Sequence, residues 1–222
     1  MADFVHLTNK TEYSLSEGAL PIARIAELCQ SFSMPAVGIS DNNNMFGALE
    51  FSEQIAKIGV QPILGCNIKI KTPKEYLHEK IEDNDLYFYL NIFSKSKEGY
   101  ENLLKCVSNA YTLNKGNAYV TIDDLIKFKE GLIILSGGNN SVMTHSTGHM
   151  ITKQSKQFVS DFKSEFNDNF YIEIQRLGSD DYRLNEEAIL NLAYDHQTPL
   201  VATNDAYFEG PEHFEAHDAL MC

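Results

Sequence analysis

An α/β fold built around a parallel sheet, either open and doubly wound or closed into a barrel, is the class this sequence predicts, and three observations predict it. Short apolar runs rich in β-branched and aromatic residues alternate with helix-period stretches from one end to the other. Polar clusters such as Ser40-Asp41-Asn42-Asn43-Asn44, Gly65-Cys66-Asn67, Ser136-Gly137-Gly138-Asn139-Asn140 and Thr203-Asn204-Asp205 fall at or near the C-terminal ends of those runs. That edge is where parallel α/β folds assemble their sites. The length, 222 residues, suits a single domain of this kind, since α/β barrels run to about 200–250 residues.

Taken in order, the expected strands are Phe4–Thr8, Pro35–Ser40, Pro62–Ile70, Leu86–Phe93, Leu132–Ser136, Phe170–Arg176 and Pro199–Thr203. Helices are expected over Ala19–Gln30, Ala48–Ile58, Glu98–Tyr111, Ile122–Lys129, Lys153–Phe166 and Asp181–His196, with a last one opening near Pro211. In Ala48–Ile58 the apolar positions Leu49, Ile55 and Ile58 oppose Glu50, Glu53 and Lys57, and Gly59 supplies the residue that closes such a helix. No repeat and no Pro-, Ser- or Gly-rich linker divides the chain, so residues 1–222 read as one domain. Glu212–Cys222 reads as a helix cut before any stop signal, so a piece of a longer protein is expected.

Composition narrows the function classes. Hydrophobic residues at 43% and charged residues at 22% exclude disordered, collagen-like and coiled-coil chains. Lys+Arg 18 against Asp+Glu 31 gives a net charge of -13, which repels a phosphate backbone rather than binding it. Cys29, Cys66, Cys106 and Cys222 are far apart and include no C-x-x-C pair, so reduced, buried, unreactive thiols in a cytoplasmic protein are expected. Neither a signal peptide nor a stretch of about 18 apolar residues is present, and no membrane association is expected.

The first predicted strand places His6, Thr8 and Lys10 on one face, because side chains alternate with period two. One imidazole, one hydroxyl and one ammonium make a poor metal site, since an ammonium repels a cation. The polar clusters add mainly carboxamides and the carboxylates of Asp41 and Asp205. At most a depleted metal site is expected. The Gly137-Gly138-Asn139-Asn140 loop lacks the Gly-Lys-Ser/Thr of a P-loop and the three glycines of a dinucleotide fingerprint.

Several segments together resemble a known family. Phe4–Gly18, Met34–Asp41, Asn44–Phe51, Pro62–Cys66, Glu98–Leu103, Pro199–Asp205 and Glu215–Asp218 look like the PHP (polymerase and histidinol phosphatase) domain at the N-terminus of bacterial DNA polymerase III alpha subunits. The resemblance runs in order over nearly the whole chain and implies a distorted seven-stranded (βα)7 barrel. Metal-competent members hold a polynuclear zinc or manganese site. Carried over, their His-x-His pair falls on Thr8 and Lys10 and their Asp-His pair on Asp41 and Asn42. Their Glu falls on Asn67, a strand His on Tyr89, the Cys on Gly138, a further His on Leu177, and the late Asp-x-His on Asp205 and Tyr207. Only Asp41 and Asp205 keep the ligand type.

The resemblance therefore implies a catalytically silent PHP domain with no resident metal, within a DNA-directed DNA polymerase that would use Mg2+ at carboxylates outside this chain. Its implied partners are the rest of the alpha subunit, the proofreading exonuclease subunit and the replicase assembly, with DNA reached through the parent chain. The alternative is a metal-dependent phosphoesterase or exonuclease with a reduced ligand set of Asp41, Asp205 and His6. Lys10 is expected to point into the vacated cup and neutralise Asp41 and Asp205, because a buried carboxylate needs a partner.

Overall fold

The computed structural model describes residues 4–77, 86–114, 116–138, 141–145, 152–176 and 180–222. Its elements follow the order α1 (Ile22–Ser31), β1 (Ala36–Asn42), α2 (Ala48–Lys57), β2 (Gln61–Lys71), β3 (Tyr87–Ser94), α3 (Lys97–Leu113), α4 (Ile122–Lys127), β4 (Leu132–Leu135), α5 (Val142–His145), α6 (Lys153–Phe166), β5 (Phe170–Gln175), α7 (Asp180–Asp195), β6 (Leu200–Thr203) and α8 (Phe214–Met221). The strands form one sheet in sequence order, β1-β2-β3-β4-β5-β6.

Two expectations are corrected here. The sheet is mixed rather than parallel: β1 to β2, β4 to β5 and β5 to β6 are parallel, while β3 runs antiparallel to both β2 and β4. The chain leaves β2 and re-enters β3 side by side, with Thr72 N–H donating to Leu86 O at 3.0 Å. With the end of β2 and the start of β3 held side by side, β3 runs back along β2.

The second correction is the strand count, six among the described residues instead of seven. The predicted strand Phe4–Thr8 is not one. Asn9 explains why: its side-chain amide donates to His6 O at 3.2 Å and to Gly38 O at 2.8 Å, taking the place of a backbone donor against β1. The segment is still held on both sides. Gly38 N–H donates to His6 O (2.7 Å) and Ser40 N–H to Asn9 O (3.0 Å) on the β1 side. Lys10 N–H donates to Ala206 O (2.8 Å) and Ala206 N–H to Thr8 O (2.9 Å) just past β6. One short segment thus touches both edges of the sheet, which requires the sheet to curl. Gly38 permits the approach, because a Cβ there would lie 2.5 Å from Leu7 O.

The outer face of the curled sheet is apolar and covered by helices. Val37 and Ile39 of β1 pack with Ile22, Ile25 and Cys29 of α1 and Phe51 and Ile55 of α2. The larger cluster joins Ile68, Phe88, Leu90, Ile134 and Ile172 to Leu103 of α3 and to Phe158 and Phe162 of α6. Phe158 lies at its centre, with ring centroids 4.4–6.0 Å from Phe162, Phe88, Tyr76 and Phe170. Caps fix several helix starts: Ser96 Oγ accepts from Gly99 N–H, Thr121 Oγ1 from Asp124 N–H, and Thr152 with Ser155 forms a capping box. Gly59, at φ +78°, follows α2 as expected.

Candidate functional site

Period-two alternation decides what faces inward. Where Phe88, Leu90 and Ile92 point to the helices, Tyr89 and Asn91 point the other way, and where Phe170 and Ile172 point out, Glu173 and Gln175 point in. That inner face is polar yet closed: Asn67, Asn91, Glu173, Gln175 and Thr203 are all buried. Asn67 Nδ2 donates to Asn91 Oδ1 at 2.9 Å, and Asn91 Nδ2 donates to Glu173 Oε2 at 3.1 Å. Glu173 also accepts from Gly137 N–H at 3.1 Å, from Gln175 Nε2 at 3.2 Å and from the Thr203 hydroxyl. The link from β3 to β5 across β4 is the reach that a sheet curled toward this face allows. Burial pushes the Glu173 carboxyl up, a trend that Asp205 reinforces and that Thr203, Asn91 and Lys10 oppose.

Lys10 is among the largest fully buried side chains, 1% exposed. Its ammonium donates to Ser40 O at 2.5 Å and to Ser40 Oγ at 3.1 Å, and lies 3.8 Å from Asp205 Oδ1. Burial pulls its pKa down, against the opposing pull of the charges on Asp205, Cys66, Asp41 and Glu173. Asp205 sits at φ +45°, a conformation Asp tolerates better than most residues. Its N–H donates to Thr8 Oγ1 at 3.0 Å and its Oδ2 receives the Tyr207 hydroxyl at 3.4 Å. Burial above all, then the charge on Asp205, holds the Tyr207 phenol well above its ordinary value.

Asp41 belongs elsewhere. It lies on the same sheet face as Ile39, and its carboxylate accepts from Thr11 N–H (2.7 Å), the Thr11 hydroxyl (2.8 Å) and the Ser14 hydroxyl (2.7 Å). It staples the turn after the N-terminal segment. Lys10 therefore faces one of the two expected carboxylates at close range, not both. His6 Nδ1 lies 3.0 Å from Asn204 Oδ1 and its ring meets Phe4 edge-on, so it is engaged away from Lys10 and Asp41. Among the described residues no three His, Cys, Asp or Glu side chains form a group that could hold a metal.

The remaining family positions are placed as follows. Asn42 donates its amide to Glu17, and Tyr89 is half-buried beside the same Glu17 charge. Gly138, at φ +53°, has the Gln175 amide where its side chain would stand, 2.5 Å from an added Cβ. Leu177 lies outside the described residues. Glu173, Asn91 and Gln175 were not expected from the sequence. The signal for Glu173 and Gln175 was the alternation in Phe170-Tyr171-Ile172-Glu173-Ile174-Gln175, and for Asn91 that in Phe88-Tyr89-Leu90-Asn91-Ile92, whose polar faces read equally as solvent or as a closed interior. Cys29, Cys66 and Cys106 are buried, and burial pushes the Cys106 thiol up to about 12. Cys222 is exposed, unlike the others and contrary to expectation.

A curled α/β sheet with helices outside defines a fold shared with known structures. An amidohydrolase from Chromobacterium violaceum, solved with bound sulfate and no metal, superposes with a TM-score of 0.59 at 11% identity, covering 97% of this chain and 96% of that one. A Bifidobacterium adolescentis protein assigned as a metal-dependent phosphoesterase gives 0.55 at 13% identity, covering 95% and 90%. The PHP domain sequence profile matches residues 6–177, and the chain belongs to the PHP domain family.

Its curated relatives are more particular. It is 37% identical over 221 residues to the DNA polymerase III subunit alpha of Caulobacter vibrioides, covering 99% of this chain and 19% of that protein. Against the subunits of Haemophilus influenzae and Aquifex aeolicus it is 31% identical in each case, covering 97% and 99% of this chain and 18% and 19% of theirs. The chain is homologous to a part of that subunit and spans about a fifth of its length. Among the described residues no helix is long and apolar enough to cross a membrane.

Proposed function

We propose that this chain is the PHP region of a bacterial replicative DNA polymerase III alpha subunit, that its interior works without resident metal, and that its role is architectural. The observation that carries the reading is the ammonium of Lys10 seated among Ser40 and Asp205 at the family's ligand positions. The donor set does not fit a metal cluster: two carboxylates, Glu173 and Asp205, stand among an ammonium, amides and hydroxyls, Asp205 faces the Lys10 ammonium, Glu173 is taken up by Asn91, Gly137, Gln175 and Thr203, and Asp41 is spent on three donors of its own turn. No phosphoesterase step is routed through these residues. The fold is read as a distorted barrel in which Phe4–Lys10 serves as the seventh segment, supported by its hydrogen bonds to β1 and to Ala206.

In this role the region braces the rest of the cytoplasmic polymerase and docks the proofreading exonuclease subunit, while Mg2+ chemistry and DNA contact belong to the parent chain. The acidic balance of the chain, net -13, favours a protein partner over a phosphate backbone. Calorimetry and co-elution with the cognate exonuclease subunit test the docking. A micromolar complex, visible with about 10 µM of each protein, is expected. The absence of both heat and co-elution would overturn it.

A further inference from the structure

Lys10 lies in the segment where the two ends of the sheet come together. Its backbone N–H donates to Ala206 O at 2.8 Å, beyond β6. Its side chain turns to β1, where the ammonium donates to Ser40 O and Ser40 Oγ. The carboxylate of Asp205 stands 3.8 Å from the same nitrogen. Asp205 Oδ1 is buried and makes no hydrogen bond among the described residues, and the ammonium is the group that compensates it. An unpaired ammonium or carboxylate in such a place is costly, and each needs the other.

We propose that Lys10 is an internal cation that cross-links the two edges of the curled sheet, pulling Ser40 of β1 and Asp205 past β6 onto a single charged nitrogen. The surroundings agree with that work. The Thr8 hydroxyl accepts from Asp205 N–H at 3.0 Å and fixes the turn that presents the carboxylate. Gly38 admits the segment that carries Lys10, since a Cβ there would strike Leu7 O. A bound ion would gather oxygens of both edges in the same way. The inference rests on the metal-free reading of the site, but it makes a separate claim about which charge holds the seam.

A double-mutant cycle tests it. The whole chain, Lys10→Met, Asp205→Asn and the double variant are unfolded in urea at neutral pH. Lys10→Met leaves Asp205 unanswered and should lower the folding constant by more than about a hundredfold, while the double variant should recover at least about tenfold of that loss. A double variant whose loss is the product of the two single losses overturns the cross-link. If Lys10→Met does not fold, a folded double variant supports the proposal and an unfolded one overturns it. Zinc found in the purified wild-type chain would instead overturn the metal-free reading, whatever the cycle gives.

Discussion

Two buried carboxylates with different surroundings show how single residues divide the work of this interior. Asp41 is matched by three short donors from Thr11 and Ser14. Asp41→Asn should cost about 3 kcal/mol in urea unfolding, because hydrogen bonds to a charged group contribute about 1.5–3 kcal/mol each and an amide presents hydrogens to at least one of those donors. A loss under about 0.5 kcal/mol, the size of a surface change, would contradict the staple. Glu173 is the opposite case, held above its ordinary value of 4.5 chiefly by burial. A carboxyl raised on folding contributes stability that is whole below that ordinary value and is lost as pH rises through the raised one. Stability measured from pH 4.5 upward should therefore carry a falling component that Glu173→Gln removes; identical pH profiles for the two chains would contradict it. Lys10 was legible because a cation stood on the same strand face as Thr8 and His6. Glu173 was not, since sequence alternation names a polar face without saying whether water reaches it.

Among the elements, those whose signals are local were read nearly to the residue. Ala48–Ile58 with Gly59 became α2, Lys153–Phe166 became α6, and Phe170–Arg176 became β5 one residue shorter. What failed was non-local. The direction of β3 depends on where the chain goes after Lys71, and the loss of strand character in Phe4–Thr8 depends on an amide from Asn9 reaching Gly38. Helix α6 offers the clearest test at this scale, with Phe158 in ring contact with four aromatic residues of α6, β3, β5 and the turn at Tyr76. Phe158→Ala should cost about 3–5 kcal/mol in thermal or urea unfolding, the range for a buried Phe. A cost near zero would mean that α6 does not close the core as described.

At the scale of the whole molecule, alternation divides the sheet between an apolar helix-covered face and a closed polar face. The family positions Thr8, Lys10, Asn67, Tyr89, Gly138 and Tyr207 were named from sequence resemblance, and geometry adds what fills the space between them: the amides of Asn91 and Gln175, the carboxyl of Glu173 and the ammonium of Lys10. The proposed reading is that internal charge and amide pairing, rather than resident ions, fill this interior. Elemental analysis of the purified chain, after incubation with zinc and manganese and removal of free ion, tests it most directly. Less than about 0.1 ion per chain is predicted, because tight metal binding needs a full set of deprotonated ligands. One or more ions retained per chain would contradict the account and return the site to metal-dependent phosphoester chemistry.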